Sequence, residues 1–592
     1  MFLKYLPFPS AHKTSSPPTE ALILPLVLAA PMLVAFNTQP STTLVNQLLA
    51  TAGWGAVCML KGAAPAPALS VRPSAALLSA LAVLMAAVLL SWSQNLPAGL
   101  AFQTLGSLGI AACLVALASQ PVLTAPPSGD RRTFTDAVLV TAVLSAVLAC
   151  IQIFAPNWVD GTFIARSDMP GRAVANLRQP NHLASLLLWG LVAWVPMSHT
   201  GRWFGNRMYG GVCAALGVLL VLGVVLTGSR TGALGVVALA GWGWLDRRLA
   251  SKTRVSLLLA PLVYLACWGL MLYWAHQTGQ LFGGEARVSD GGAEVLTSTR
   301  YGMWENALML IQANPWQGVG FGKFGMAWTL TPFTNRSGEL FDHAHNLPLH
   351  LAVELGLPAA ILVMALLSWA LWQAARRSWL VAGEDGVATR AVFVMLPIIG
   401  LHSLLEYPLW YNYFLFPTAW AWGLSLRQPL DVAQSAPEQA RPRTGVVALG
   451  LAMVAGSLWL QWDYRNVVAL YLPNDSKLTQ PQRITLGQAS LVFSHFADYA
   501  AVTTTGQSSQ AIAPFKTAAL VVLDPPLMEA WAKALNATGQ TDQARYLAER
   551  LREFHSPYSK EFFAPCEVTT MAQKPFQCEP SHQTHPWKEF LR

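Results

Sequence analysis

Apolar residues in this chain come in long unbroken runs, with little one-sided helical striping and no strand-like alternation. Runs of spanning character lie near 21–37, 43–60, 75–92, 100–119, 134–154, 181–198, 209–226, 231–245, 255–274, 347–374, 391–405, 409–426 and 444–461. Several fall short of the roughly 20 residues that a bilayer core requires. A chain in hydrocarbon must satisfy its own backbone hydrogen bonds, and nothing here alternates like a barrel strand, so the pattern predicts helices throughout. The expected fold class is an all-α polytopic membrane protein of about 13 transmembrane helices. Its expected divisions are an inner N-terminal stretch 1–20, a membrane domain 21–461 with a large outer loop 275–346, and a small helical outer domain 462–592. Within the last, Leu527–Gly539 and Gln543–Leu551 have the cadence of a helical hairpin, or of one tetratricopeptide-like unit.

Composition agrees. Of 592 residues, 53% are hydrophobic and only 11% charged, where soluble domains carry about 25%. The net charge of +8 is scattered through short loops, which speaks against nucleic acid as a partner. No small-residue cleavage site follows the first apolar run, so it reads as a membrane helix rather than a signal peptide. With the N-terminus inside, Lys and Arg fill the inner loops, and the short outer loops 38–42, 93–99 and 406–408 hold none. The same parity puts 155–180, 227–230, 275–346 and 462–592 outside. Cys566 and Cys578, twelve residues apart in the polar tail, are then expected to pair as a disulfide.

Basic residues on the outer side are exceptions to this rule and point to an anionic ligand. They are Arg166, Arg172 and Arg178 in one loop, Arg230 in the turn Thr227–Gly232, and Arg287, Arg300, Lys323 and Arg336 in the large loop. A planar guanidinium suits phosphate, although Arg300 would equally serve as an interfacial anchor with Trp304, Trp316 and Trp328 forming a belt. The stretch Phe341–Pro358 closes the large loop and opens an apolar run. Asn346 is a good N-cap there, and Pro348 falls in the first turn, where its missing N–H costs nothing. His345 therefore sits just outside a helix start, where the positive end of the helix dipole disfavours protonation and favours a base. Glu354 is expected about 12 Å down that helix, an ionisable group at depth and so a candidate site residue. Helix capping accounts for Pro180 and Asn181 but not for Arg178, Gln179 and His182 together. An aromatic belt accounts for the turn 401–413 but not for Glu406. A metal at His343 and His345 finds no strong zinc spacing.

Four separated motifs carry a family resemblance. The pattern His345-Asn346, then Leu, then Glu354-Leu-Gly356 resembles the O-antigen ligase and polymerase superfamily of membrane glycosyltransferases. Arg178-Gln-Pro-Asn-His-Leu-Ala184 and His402-Ser-Leu-Leu-Glu-Tyr-Pro-Leu-Trp410 are similar to its bacterial protein O-oligosaccharyltransferases, of the PglL or pilin-glycosylase type. The resemblance implies a multi-pass inner-membrane enzyme with its active site facing the periplasm. It would move an oligosaccharide from undecaprenyl-pyrophosphate to an exported acceptor protein such as pilin. It further implies His345 as catalytic histidine, Arg230 and Arg300 as pyrophosphate ligands, with Arg178 beside them, and Gln179 and Tyr407 as functional positions of the protein-glycosylating branch. Tyr411 is the alternative to Tyr407. His182, Asn346, Glu354 and Glu406 are expected to support them. A sugar pyrophosphate already carries a good leaving group, so the chemistry calls for one base and nearby cations, with no cofactor and no metal. Rival readings are an O-antigen ligase acting on lipid A–core, a repeat-unit polymerase, and, from another class, a transporter. A transporter predicts charged residues near mid-membrane, whereas here they gather at one face.

Overall fold

Each of the thirteen apolar runs is helical in the computed structural model, which describes residues 18–67, 69–120, 129–200, 209–285, 292–336, 338–428, 441–472, 477–504, 512–567 and 574–591. Most of the inner stretch expected over 1–20, and Arg287, lie outside the described residues. The helices are α1 (Pro18–Leu33), α2 (Leu44–Ala63), α3 (Ala75–Trp92), α4 (Ala98–Ala118), α5 (Gly129–Phe154), α6 (Pro180–Thr200), α7 (Tyr209–Leu226), α8 (Arg230–Leu245) and α9 (Ser251–Thr278). Then come α10 (Gly292–Ala313), α11 (Phe324–Leu330), α12 (Leu347–Leu355), α13 (Leu357–Leu380), α14 (Gly383–Ser403), α15 (Asn412–Leu426) and α16 (Thr444–Tyr471). Among the described residues, seven helices are long and apolar enough to cross a membrane, and two shorter apolar ones accompany them.

The short helices are informative. α8 and α15 have only 16 and 15 residues, about 23 Å of rise, where a hydrocarbon core is about 30 Å thick. Both begin with polar residues, Arg230 and Asn412.

The run 347–374 is one helix by hydropathy and two in the structure. Pro358 would break the hydrogen-bond ladder of a continuous helix, and Gly356, at φ 77°, turns the chain between α12 and α13. The loop of turns after α10 fills the break. Val319 and Gly320 donate backbone N–H bonds to Val353 and Glu354, and Leu357 donates to Pro315. The approach is close enough that a Cβ on Gly318 would stand 2.4 Å from the Glu354 carbonyl oxygen, and one on Gly356 2.5 Å from the Trp316 backbone.

The tail continues with α17 (Gln480–Gln488), α18 (Ser494–Thr504), α19 (Ala513–Ala519), α20 (Pro525–Ala537), α21 (Thr541–Glu553) and α22 (Lys560–Glu567). α20 and α21 form the hairpin that the sequence predicts, with Asp524 capping the first helix and Gly539 at φ 81° in the turn. Cys566 and Cys578 are joined in a disulfide. The tail shares one apolar core with α10, α11 and α12, so it packs directly on the loop that leads to His345.

Candidate active site

The site is built where five chain segments meet: the turn before α12, the turn between α14 and α15, the face of α10, the start of α6 and the start of α8. Asn346 caps α12 as expected, its Oδ1 accepting from the Leu349 N–H at 3.0 Å. Its Nδ2 donates to the Leu404 carbonyl at 3.2 Å, which ties the His345 turn to the α14–α15 turn. Trp304 of α10 donates to the Ala344 carbonyl at 3.0 Å. His345 itself takes a left-handed backbone, φ 46°, and its ring turns toward Glu406.

Glu406 is the hub. Its Oε2 lies 2.7 Å from His345 Nδ1. Its Oε1 accepts from Arg300 at 2.6 Å and from Asn181 at 3.1 Å. Burial pushes this carboxyl's pKa up, but the hydrogen bond and charge of His345, with the charge of Arg300, outweigh burial and bring it down to about 2. An ionised carboxylate only accepts, so His345 Nδ1 donates to Glu406 and leaves Nε2 facing away from it. That is the orientation of a general base steered by a carboxylate.

From Glu406 the contacts continue to Arg230. Asn181 accepts from the Ser229 hydroxyl at 2.6 Å. Ser229 in turn caps α8, accepting from the Gly232 N–H at 3.1 Å. Arg230 is the first residue of that helix and is exposed. Arg178 lies nearby in sequence at φ 59°. One of its terminal nitrogens donates to the Ala35 carbonyl at 2.7 Å, and its Nε is buried with no protein acceptor.

Tyr407 stacks flat on His343, ring centres 4.3 Å apart, and meets the His345 ring edge-on at 5.2 Å. Burial, helped by Tyr411, Asp342 and Glu406, drives its phenol pKa far up, so it stays a hydroxyl. Tyr411 stacks behind Tyr407, its pKa pushed up to about 12 by burial and the carboxylates of Asp342 and Glu406. An apolar cavity of about 480 Å³ opens beside Trp410 and His350 and runs between α2, α3, α4 and α15.

The structure thus brings together His345, Asn346, Glu406, Tyr407 and Arg300, and reaches Arg230 through Asn181 and Ser229. It does not bring Glu354 to His345. Glu354 lies in the last turn of the short α12, pairs with His350 at 3.4 Å, and accepts from the Phe324 N–H at 3.2 Å, so it fastens the loop before α11. Gln179 caps α6, its Oε1 accepting from the His182 N–H at 2.8 Å. Capping therefore extends to Gln179, which the sequence reading held apart from it. His182 is buried one layer behind, 4.6 Å from the Tyr411 ring and 3.2 Å from the Tyr413 hydroxyl. Asn181 is the residue that sequence reasoning passed over, because Asn at a helix start has a sufficient local explanation.

Three of the outer cations serve the fold. Arg172 donates to the Thr227 carbonyl at 2.8 Å and Lys323 to the Gln94 carbonyl at 2.8 Å. Arg336 pairs with Glu553 of the tail at 2.6 Å while stacked over Trp328, Phe333 and Phe554.

Comparison with known proteins finds relatives for the segments that build this site. Residues 215–364 match an O-antigen ligase family model, 390–565 match the model of a virulence factor membrane-bound polymerase, C-terminal, and 173–195 match a protein glycosylation ligase model. A general O-oligosaccharyltransferase of Acinetobacter baylyi is 26% identical over 384 residues, covering 62% of each chain. A ComP-specific O-oligosaccharyltransferase of the same organism is 26% identical over 268 residues, covering 45% of this chain and 46% of that one. The chain thus spans less than two thirds of the length of these curated relatives. The three matched segments hold, in chain order, Asn181, then Arg230, Arg300 and His345, then Glu406 and Tyr407, so every segment delivers side chains to one site. On this combined ground the chain is similar to the O-antigen ligase superfamily and, within it, to the protein glycosylation ligases of PglL type.

Proposed function

We propose that this protein transfers an oligosaccharide en bloc from undecaprenyl-pyrophosphate to serine or threonine hydroxyls of exported proteins such as pilin, at the periplasmic face of the bacterial inner membrane. One observation carries the reading: the His345 imidazole and the Arg300 guanidinium share the buried carboxylate of Glu406. A base and a phosphate-binding cation are thereby held one side chain apart. The acceptor oxygen attacks the anomeric carbon as its proton passes to His345 Nε2. The bond from that carbon to the pyrophosphate breaks, and the leaving oxygen keeps the electron pair against Arg300, Arg230 and Arg178. Attack opposite the leaving group inverts the anomeric centre. The scheme needs no metal, since the arginines supply the positive charge. Tyr407 offers a neutral hydroxyl beside the base, and Gln179 and His182 hold the α6 start from behind. The apolar cavity beside Trp410 suits the carrier's prenyl chain. In this reading 21–461 is the catalytic membrane domain, and 462–592 a periplasmic domain that steadies the His345 loop.

The match of 390–565 to a polymerase model favours a second reading, in which the acceptor is another carrier-linked glycan. An O-antigen ligase acting on lipid A–core is the third. One experiment separates them. A host without its own transferase is given a lipid-linked glycan with a pilin and lipid A–core together, and wild type is compared with His345→Ala. Glycosylated pilin, absent in the variant, is the expected result. Histidine-dependent product on lipid A–core, or longer carrier-linked chains, would replace the acceptor while keeping the chemistry.

A further inference from the structure

Asn181 is the second residue of α6, a position where a polar side chain ordinarily serves the helix's own backbone. Here it does not, because Gln179 does that. Both halves of the Asn181 amide point to other elements. Nδ2 donates to Glu406 Oε1 at 3.1 Å, and Oδ1 accepts from the Ser229 hydroxyl at 2.6 Å. Ser229 is fully engaged as the α8 cap, and α8 begins with Arg230. An unbroken line of hydrogen bonds therefore runs His345–Glu406–Asn181–Ser229, ending at the helix start that carries Arg230. Ser229 and Glu406 are buried, and in such surroundings a fully satisfied chain of this kind holds its geometry tightly.

We propose that Asn181 is a positioning residue that sets the separation between the base, His345, and the pyrophosphate-binding end of the site at Arg230. This rests on the function proposed above. In that reaction the anomeric carbon lies between the acceptor oxygen at the base and the leaving oxygen at the cations, so their spacing enters the barrier directly. The position must donate to a carboxylate and accept from a hydroxyl at once, and an amide does so with two separate atoms aimed at the two partners.

The test uses the full-length protein in lipid nanodiscs with a lipid-linked oligosaccharide and a pilin acceptor, measuring kcat and both KM values. Asn181→Ala and Asn181→Asp are made alone and combined with Glu406→Gln. Each single Asn181 variant is expected to lower kcat by on the order of 100-fold, as misplacement near 1 Å does, with both KM values nearly unchanged. Combined with Glu406→Gln, neither should lower kcat much further, because the line is already cut. Undiminished kcat, a loss confined to KM, or losses that multiply in the double variant would each overturn the proposal. Should Asn181→Ala fail to accumulate, Asn181→Asp decides, since it keeps the volume and the Ser229 contact. Full activity in His345→Ala would instead bring down the base reading itself, a failure distinct from one limited to Asn181.

Discussion

His345 Nδ1 lies 2.7 Å from Glu406 Oε2, although the two residues are 61 positions apart. The contact turns an isolated loop histidine into one with a defined tautomer and direction, and it dictates the first prediction. His345→Ala should abolish transfer, and Glu406→Gln should lower kcat by about 100- to 1,000-fold, within the range that general-base catalysis supplies. Acceptor and donor KM should change little. Turnover rates with a purified acceptor check this, and an active Glu406→Gln variant with wild-type kcat would contradict it.

Acid sensitivity follows from the same carboxylate. The folded pKa of Glu406 is depressed to about 2 from its ordinary value of 4.5. A depressed carboxyl contributes stability that is present above its unfolded pKa and is lost as pH falls through the folded one. The difference in melting temperature between wild type and Glu406→Gln should therefore be constant above pH 4.5 and shrink between pH 4.5 and about 2. A gap that does not narrow would argue that Glu406 is not the ionised hub.

Arg300 and Arg336 make a matched pair for separating ligand binding from architecture. Arg300→Lys keeps a charge near Glu406 but loses the planar fork. It should raise donor KM about tenfold or more and leave acceptor KM alone. Arg336, buried against Trp328, Phe333 and Phe554 and paired with Glu553, should behave oppositely. Arg336→Gln should destabilise by about 3 kcal/mol, the scale for breaking a buried pair, and leave donor KM unchanged. Thermal melts and steady-state kinetics on the two variants decide it.

The junction of α12 and α13 offers a backbone test. Gly318→Ala and Gly356→Ala would each force a methyl to within 2.4–2.5 Å of backbone, at φ 65° and 77°. Each should cost at least about 1–3 kcal/mol and loosen the His345 turn, seen as a lower melting temperature together with a fall in kcat. Wild-type stability in both would mean that the loop does not plug the break as described.

Much of this protein was set by its sequence alone, through features that depend on neighbours along the chain. Hydropathy marked every membrane-suited helix, because burial in hydrocarbon depends on summed side-chain character. Asn346 and Pro348 announced the start of α12, since a cap bonds only three residues away. The hairpin of α20 and α21 was likewise local. Tertiary structure decided what each polar side chain meets. Glu354 and Glu406 look alike as lone carboxylates next to apolar runs, yet one fastens a loop and the other joins His345, Arg300 and Asn181 across 61, 106 and 225 positions. Arg336 and Arg300 were equal as outer cations until packing buried one against the tail and left the other on Glu406. Gln179 and Asn181 exchanged their expected roles for the same reason. A hydrogen bond is a matter of about 3 Å in space, and position along the chain does not encode that distance.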